Sequence, residues 1–353
     1  MKLKSGHESV HLQGPEMQKQ VKDFPGYENG LVRLHPGRWL YPTNFEKFAN
    51  GLYNFKFKSS DVVVMTWPKC GTTWTQEIVW TMRSNPDLNH PDAHMDVRHR
   101  SPFIDSDMLK PIPSKNDTTS KNPFLANFRN KCPDKDPADG IVLQLAAVFP
   151  DPRTIKTHLP LSLMPPSLLD TAKVVYVARN PKDVIVSYHH HSRVIKSHDF
   201  VGSLDDFVQY FVDDDLLYGP YWLHLKEAWD KREHPNLHFL FYEDLKENTL
   251  EELRKLDTFL ETNLTEAQLE AIIKYTSFGE MKARDEICQK QSEWSKVSRN
   301  LEVVEKEGGL FRKGEAGDWK NKLTTEQGRK VDRWTEANLS GLGINFKYGL
   351  KIN

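Results

Sequence analysis

Short apolar runs alternate with amphipathic stretches along the middle of the chain. Four runs have the composition of strands: DVVVMTW (61–67), RTIKTHLP (153–160), KVVYVARNP (173–181) and LHFLFYEDL (237–245). Helical patterns follow three of them, at WTQEIVWTMRSN (74–85), KDVIVSYHHHSRV (182–194) and roughly 250–260. In the first of these helices, Ile78, Val79 and Met82 share a face. The alternation predicts an α/β fold with a central, mostly parallel sheet flanked by helices, and ligands outside the carboxyl ends of the strands.

Two regions depart from this rhythm. Residues 1–60 are aromatic and punctuated by Pro and Gly, which predicts an irregular arm that wraps the domain. Residues 85–150, here called the insertion, are rich in Pro, Asp and Asn, with a short apolar helix predicted at 140–149. We expect the insertion to cover a pocket, with a mobile surface loop as the alternative. The tail from about residue 262 is predicted to be mostly helical, except for the Gly-rich, basic segment 308–321.

Composition narrows the class of protein. The 353 residues are 38% hydrophobic, which favours a single domain over residues 1–353. With 48 basic and 49 acidic residues there is no excess charge to hold a nucleic acid. The sequence contains no run of about 18 apolar residues, so we predict no membrane span. The first residues lack the apolar core of a signal peptide. Three cysteines without metal-ligand spacing indicate free thiols and a cytoplasmic location.

The loop at residues 68–73, PKCGTT, joins the first strand of this pattern to a helix. Backbone N–H groups at a helix start, a small glycine, two hydroxyls and a lysine all favour a bound phosphate. The common nucleoside-triphosphate loop, GxxxxGK[ST], places its lysine after the second glycine, whereas Lys69 precedes Gly71. This order disfavours an ordinary ATPase or kinase. The alternative is a plain strand-to-helix turn with a solvated lysine.

Two further segments carry groups suited to an anion. Arg179 follows a strand and Ser187 lies in the next helix, so both could bind one phosphate. The alternative is a capping arginine and a buried serine bonded to a carbonyl. Arg312 and Lys313 precede Gly314, where the backbone can approach an anion closely. On their own they would be interpreted as a solvated charge run.

Lys156 and His158 are two residues apart at the end of a strand. Side chains at this spacing share a face, so both could point into one crevice. A histidine there is suited to take a proton from an attacking hydroxyl, although a lone histidine is often structural. The consecutive histidines 189–191 point in different directions on a helix and lack accompanying ligands, so we predict no metal site.

Five motifs in order resemble those of the cytosolic sulfotransferases, which use the donor PAPS (3′-phosphoadenylyl sulfate) and release PAP. They are TWPKCGTTW (66–74), KTHLP (156–160), RNPKDVIVSYHH (179–190), FYEDL (241–245) and RKGEAGDWKN (312–321). The resemblance runs from about residue 40 to the C-terminus, with the insertion as its main gap. It implies the P-loop-like sulfotransferase fold with an inserted lid. It also implies metal-independent sulfuryl transfer to the hydroxyl of a small hydrophobic alcohol or phenol.

The resemblance also implies roles for individual residues. Lys69 would bind the bridging oxygen of the leaving phosphate, and Lys156 would stabilise the transferring group. His158 would be the general base, and Ser187 would act both in catalysis and in holding the 3′-phosphate. Further contacts to the nucleotide would come from Cys70, Gly71, Thr72, Thr73, Trp74, Arg179, Tyr242, Thr276, Phe278, Arg312, Lys313 and Gly314.

Two departures from the family pattern concern single positions. Cys70 stands where the family has serine, which removes a good hydrogen-bond donor from the phosphosulfate loop. The family's dimerisation pattern KxxxTVxxxE is kept at Lys320 and Thr324 but lost at Thr325 and Arg329. A dimer formed by that route is therefore not predicted.

The enlarged insertion and the aromatic arm resemble the insect branch of the family that includes retinol dehydratase. That resemblance implies a lid that encloses a retinoid, whose sulfate ester then loses sulfate to leave a new double bond. We expect Phe45 and Phe103 to join His158 in the walls of the substrate pocket. The alternatives are a P-loop small-molecule kinase and a non-catalytic carrier of a hydrophobic ligand.

Overall fold

A four-stranded parallel sheet lies at the centre of the computed structural model, which describes residues 1–111, 113, 117, 120 and 122–347. The strands β1 to β7 are Glu8–His11, Leu31–His35, Trp39–Pro42, Val62–Thr66, Thr154–Thr157, Lys173–Ala178 and Leu237–Phe241. Strands β4 to β7 form the central sheet in the order β5-β4-β6-β7, and every pairing is parallel. Their register sets Val64 beside Lys156 on one side and Val175 on the other. The predicted parallel sheet is confirmed.

Helices surround this sheet. In chain order, α1 to α17 are Gly14–Asp23, Phe45–Tyr53, Thr72–Ser84, Val97–Arg100, Leu125–Lys131, Ile141–Ala147, Leu168–Thr171, Pro181–Val194, Leu204–Val212, Tyr221–Trp229, Tyr242–Glu247, Thr249–Leu260, Glu266–Tyr275, Phe278–Gln291, Glu293–Ser298, Leu301–Glu307 and Thr325–Leu339. Short 3₁₀ helices occupy Pro25–Tyr27, Pro91–His94, Ser106–Leu109, Pro137–Asp139, Leu161–Leu163 and Asp318–Asn321.

The alternation of side chains along β4 explains why helices cover both faces of the sheet. All five residues of β4 are buried. Val62 and Val64 pack with Ile78 of α3, in a cluster that α12 and α13 complete. Val63 and Met65 point to the opposite face and join the larger core, which α8 and α10 help to form. Because both faces are covered, the strand is apolar from Val62 to Met65 and shows no polar alternation there.

The strand ends and helix starts meet at one edge of the sheet. Strand β4 runs through a short loop into α3, and Gly71 before that helix has φ +102°, a conformation that favours glycine. Strand β6 leads into α8, whose first turn is capped by Asn180: the side-chain oxygen accepts from the backbone N–H of Lys182 at 3.0 Å. The predicted strand–loop–helix order is confirmed at both places, and both turns face the same crevice.

The N-terminal sixty residues are more regular than the sequence indicates. Strands β1 to β3 form an antiparallel sheet, and α1 and α2 lie within the same segment. The prediction of an irregular arm is therefore wrong. Leu40 of β3 exchanges backbone hydrogen bonds with residues 218–219, at 3.0 and 3.2 Å. The small sheet is thus fastened to the central unit by main-chain bonds.

The described part of the insertion is largely helical. It contains α4, α5 and α6, and the predicted apolar helix at 140–149 is confirmed as Ile141–Ala147. Asp107 accepts from the N–H groups of Val142 and Leu143, at 2.9 and 3.0 Å, and so anchors the start of α6. Pro102 and Ile104 pair with Lys156 through backbone hydrogen bonds of 2.9 and 3.1 Å, which extends the sheet beyond its edge strand β5.

Two boundaries at the C-terminal side complete the comparison. The run predicted as a strand over 237–245 is a strand only to Phe241, because Tyr242–Glu247 is a helix. The helical tail is confirmed, and residues 308–317 within it form no helix. Within the described residues, no helix combines the length and the apolar character that crossing a membrane requires.

Candidate active site

A cavity of about 480 Å³ opens at the carboxyl ends of β4, β5 and β6. Its walls come from distant parts of the chain, as ligand sites in open α/β sheets do. Among the residues singled out from the sequence, these lie on its wall: Lys69, Gly71, Thr72, Thr73, Trp74, Phe103, Lys156, His158, Arg179, Ser187, Tyr242, Thr276, Phe278, Arg312, Lys313 and Gly314.

Four cations meet at the phosphate-loop end of the cavity. Burial, together with the nearby charges of Lys156, Arg179 and Arg312, lowers the pKa of Lys69 to about 7. Like charges are held this close at a stability cost unless an anion compensates them. The arrangement therefore suits a ligand with more than one negative charge.

At two positions near these cations, the backbone lies so close to an aromatic ring that only glycine fits. A Cβ atom at Gly71 would lie 2.6 Å from the ring of Tyr242. One at Gly314 would lie 2.2 Å from the ring of Phe278, and φ there is +67°. Both close approaches bring the main chain against an aromatic ring that also faces the cavity. The two aromatic rings and the two glycine turns therefore shape the same part of the cavity wall.

Arg179 is held in place by its terminal nitrogens. They donate to the carbonyl oxygens of Lys69 and Glu315, each at 3.0 Å, and the guanidinium lies 4.2 Å from the ring centroid of Tyr242. Its Nε is buried and finds no hydrogen-bond partner among the described residues. A buried donor without a partner is costly, and a negatively charged ligand beside Arg179, which lines the cavity, would offset part of that cost. The donor set fits an adenine nucleotide with phosphates at both ends.

His158 stands where β5 ends, with one ring nitrogen fixed. Its Nδ1 lies 2.7 Å from the carbonyl oxygen of Thr66, which can only accept, so Nδ1 carries the proton and donates. Nε2 then has a free lone pair. Burial holds the pKa of His158 well below its usual value, and the charge of Lys156 adds to this effect. The imidazole is therefore neutral and ready to accept a proton.

Aromatic rings pack around this base. The ring centroids of Phe103 and Tyr218 lie 5.1 and 5.4 Å from that of His158, both edge-on. The ammonium of Lys156 sits 4.0 Å from the ring centroid of Phe103, and burial lowers the pKa of Lys156 to about 8. The predicted sharing of one crevice by Lys156 and His158 is confirmed.

Asp105 and Tyr218 hold the residue His158 in place, and no motif in the sequence pointed to them. The hydroxyl of Tyr218 donates to Asp105 at 3.0 Å, and the backbone N–H of His158 donates to the same carboxylate at 3.3 Å. Asp105 is 1% exposed, and burial raises its pKa to about 6. Its place in the insertion ties that segment to the end of β5.

Two predicted site residues lie outside the cavity wall. Phe45 is buried in the core, where its ring stacks on Tyr41 at a centroid distance of 4.3 Å, so the structure does not bring it to the pocket. The thiol of Cys70 is buried 3.9 Å from the carbonyl oxygen of Pro68, and burial raises its pKa. Lys69 and Gly71 on either side of Cys70 line the cavity, but Cys70 does not. The cysteine that stands where the family has serine is therefore not part of the cavity wall.

The insertion supplies part of the opposite wall. Val97, Phe103 and Leu109 contribute apolar surface there, together with Val186 of α8 and Leu310. These residues of the insertion thus line the cavity, and its role as a cover over the substrate stays a prediction. The cavity wall thus combines the cationic residues around the phosphate loop with apolar side chains, and Phe103 of this apolar set packs against His158.

Comparisons with known proteins agree with this geometry. The family model described as sulfotransferase domain matches residues 59–343. Sulfotransferase 1A1 of Rattus norvegicus is 34% identical over 306 residues, which cover 86% of this chain and 92% of that protein. Luciferin sulfotransferase of Photinus pyralis is 30% identical over 303 residues, which cover 84% of this chain and 76% of that protein.

A solved structure covers nearly the whole chain. Retinol dehydratase in complex with androsterone and the inactive cofactor PAP superposes with a TM-score of 0.79 at 28% identity, covering 97% of this chain and 98% of that one. The family match, the relatives and the shared fold agree with one another. The chain belongs to the sulfotransferase family.

Proposed function

We propose that this sulfotransferase transfers the sulfuryl group of PAPS to the hydroxyl group of a small hydrophobic alcohol or phenol. The cationic end of the cavity supports the donor. Arg312 and Lys313 pair with Asp318, but Lys69, Lys156 and Arg179 have no carboxylate within 4.0 Å among the described residues. The apolar wall near His158 supports a hydrophobic acceptor. Structures of retinol dehydratase contain PAP, the desulfated donor, which supports the same choice of nucleotide.

In this proposal the phosphate groups of the nucleotide are divided between two sets of residues. The loop at residues 69–73 would hold the 5′ end through backbone N–H groups and two hydroxyls. Arg179 and Ser187 would hold the 3′-phosphate with the segment 312–314. The adenine would lie among Trp74, Tyr242, Thr276 and Phe278, which all face the cavity.

The residues around His158 would perform the chemistry. Bound PAPS supplies an activated sulfuryl group whose leaving group is a phosphate. The Nε2 lone pair of His158 accepts the proton of the acceptor hydroxyl while that oxygen bonds to sulfur and the bond from sulfur to the phosphate oxygen breaks. Lys69 neutralises charge on the departing oxygen, and Lys156 does so on the transferring group. A positioned general base contributes a factor of roughly 10²–10⁴.

The observation that carries the proposal is the free Nε2 of His158 between two lysines whose pKa values are lowered. The test is incubation of the purified protein with PAPS and a panel of phenols, steroids and retinoids, with products identified by mass. We expect products heavier by one sulfuryl group, formed only with PAPS. Turnover that requires Mg·ATP instead would favour the kinase, and ligand binding without any product would favour the carrier.

A second candidate reaction is loss of sulfate from the ester of an allylic alcohol such as a retinoid. The similarity to retinol dehydratase supports it, since it covers 97% of this chain and so spans most of the insertion. Sulfate would leave as the anion and a neighbouring carbon would lose a proton, so that one new double bond forms. A cavity closed to water would favour this step. With retinol as acceptor, a product lighter by one water supports elimination, whereas a stable sulfate ester contradicts it.

A further inference from the structure

A buried carboxylate lies beside His158, at the point where the insertion joins the central sheet. Asp105 is 1% exposed and directly precedes the short helix Ser106–Leu109. Its oxygens accept from the backbone N–H of His158, at 3.3 and 3.4 Å, and from the hydroxyl of Tyr218, at 3.0 Å. The carboxylate of the insertion is therefore directed at His158, which belongs to the end of β5.

The main chain fixes Asp105 in this place. The N–H of Lys156 donates to the carbonyl oxygen of Pro102 at 2.9 Å, and the N–H of Ile104 donates to that of Lys156 at 3.1 Å. The parallel bridge between Phe103 and Lys156, continued by two residues, sets Asp105 opposite His158. The position of the carboxylate thus follows from strand pairing and not from a free loop.

Tyr218, which donates to this carboxylate, has an unusual backbone conformation. Its φ is +67°, in the left-handed region that bulky residues rarely adopt. Its N–H donates to the carbonyl oxygen of Leu40 at 3.0 Å, and its own carbonyl oxygen accepts from the indole of Trp67 at 2.8 Å. Such strain persists where the surroundings fix it, and it is frequent at functional sites. Here it brings one ring against His158 and its hydroxyl to Asp105.

The charge of Asp105 also reaches Lys156. Burial lowers the pKa of Lys156 to about 8, and the charge of Asp105 acts against that shift. Burial raises the pKa of Asp105 to about 6, and its hydrogen bonds and the charge of Lys156 act against that shift. Between these two pKa values the carboxylate is ionised while the ammonium is protonated. Each charge then stabilises the other.

Other ionisable groups face this pair from neighbouring elements. Tyr41 of β3 and Tyr218 lie near Asp105, and burial holds the pKa values of both phenols well above the usual one, so both stay protonated. The other charges that act on Lys156 come from the insertion: Asp96, Arg98 and Lys110. A substitution of Asp105 leaves all of these groups in place. Their effects therefore largely cancel when the variant is compared with the wild type at each pH.

We propose that Asp105 is a positioning residue for sulfuryl transfer, which holds the main chain of His158 and supplies a negative charge beside His158 and Lys156. This inference rests on the proposed function. The carboxylate keeps Lys156 charged for the transferring group, and it stabilises the imidazolium that His158 becomes on accepting the hydroxyl proton. Asp105 itself takes up no proton and forms no bond in the reaction.

The test compares Asp105→Asn with a matched control, Asp107→Asn. Asparagine is nearly the same size as aspartate and still accepts a hydrogen bond, but it carries no charge. Asp107 lies in the same segment, is 7% exposed and also accepts from backbone N–H groups, those of Val142 and Leu143. Both variants are assayed with PAPS and with the phenol, steroid or retinoid that the wild type sulfates fastest. Binding of PAP and melting temperature are measured in parallel.

At pH 7.5, Asp105→Asn should lower kcat roughly 10-fold or more, the value of a hydrogen bond to a charged group. The KM of the acceptor and the affinity for PAP should change by no more than about twofold, since Asp105 acts through other residues. Asp107→Asn should melt at a lower temperature, because the start of α6 loses a charged acceptor, and should keep kcat within about twofold.

The pH profile separates the charge of Asp105 from a purely structural role. At pH 5 the wild-type carboxylate is protonated and resembles the uncharged asparagine, so the ratio of wild-type to variant rates should rise from pH 5 to pH 7. On the alkaline side, the pKa of Lys156 falls further once the charge of Asp105 is removed. The rate of Asp105→Asn should therefore begin to decline at a lower pH than the rate of the wild type.

A rate ratio that is the same at every pH, or a loss of kcat no larger than in Asp107→Asn, would overturn the inference. If Asp105→Asn does not fold, Tyr218→Phe takes its place. It removes a hydrogen bond that lowers the pKa of Asp105, so the acid limb of kcat should move to higher pH, and an unmoved limb would contradict the inference. These results leave sulfation by the wild type intact. If the wild type forms no sulfated product, the proposed function fails and the inference fails with it.

Discussion

The ammonium group of Lys69 should make nucleotide affinity depend on pH. In the free protein its pKa is lowered to about 7 by burial and by neighbouring cations. A bound bisphosphate adds negative charge beside it and raises that pKa towards its usual range. The complex then holds a proton that the free protein has partly lost. Affinity for adenosine 3′,5′-bisphosphate must therefore fall as pH rises above 7.

The size of the effect follows from the pKa. At pH 7 about half of the free protein carries the Lys69 proton, and at pH 9 only about one molecule in a hundred does. If the pKa in the complex returns to about 10 or higher, affinity falls roughly 50-fold over these two pH units, or about 2.3 kcal/mol. Lys156, whose pKa burial lowers to about 8, acts in the same direction and adds to the loss.

Isothermal titration calorimetry at pH 7, 8 and 9 measures this directly. Repeating each titration in two buffers of different ionisation enthalpy counts the protons taken up on binding, which should approach one from Lys69 at pH 8–9. Lys69→Arg keeps the charge without titrating in this range, so it should retain only the smaller slope from Lys156. Equal affinity at pH 7 and 9 in the wild type, or an unchanged slope in Lys69→Arg, would refute the reasoning.

Three further outcomes are expected. His158→Ala should lower the rate of sulfuryl transfer by roughly 10²-fold or more while PAP affinity stays within about twofold, as rapid-quench and binding assays would show; full activity would remove this residue from the mechanism. Gly314→Ala should weaken PAP binding, because the new Cβ would lie 2.2 Å from a ring atom of Phe278. Gly317→Ala is the control: this residue also has a positive φ but lies in open space, so the change should leave PAP binding intact. Equal losses of affinity in the two variants would attribute the effect to backbone strain alone. Asp61→Asn breaks the buried ion pair with Arg153 and should lower the free energy of unfolding by about 3–5 kcal/mol. Asp151→Asn breaks an exposed pair with Lys58 and should lower it by only about 0–1 kcal/mol. Equal losses in denaturant unfolding would contradict this expectation.

The local pattern of apolar residues was sufficient to predict those parts of the site that lie directly after strands. The runs at 61–67 and 173–181 are apolar at nearly every position because both faces of those strands are covered, and the loops that follow them carry the anion-binding groups. Position after a strand end is a short-range property, so Lys69, His158 and Arg179 could be named without a structure. Their convergence follows from the parallel arrangement of the sheet.

Other parts depend on tertiary contacts that a single sequence does not display. The strands of residues 1–60 are four or five residues long, and their Pro and Gly turns resemble loops. Asp105 matters through what surrounds it, and its partners His158 and Tyr218 are supplied by segments more than fifty residues away. Phe45 was expected in the pocket as part of the lid hypothesis, but packing against Tyr41 places it in the core.

The pairing of Pro102 and Ile104 with Lys156 has a consequence for protein engineering. It occupies the outer side of β5, which would otherwise present unpaired N–H and C=O groups to another chain. Removing the whole insertion would uncover that edge and invite aggregation, so a loss of activity would not report on substrate choice alone. When the insertion is exchanged between relatives, the exchange should begin after residue 104. The edge of β5 then stays covered while the substrate specificity changes.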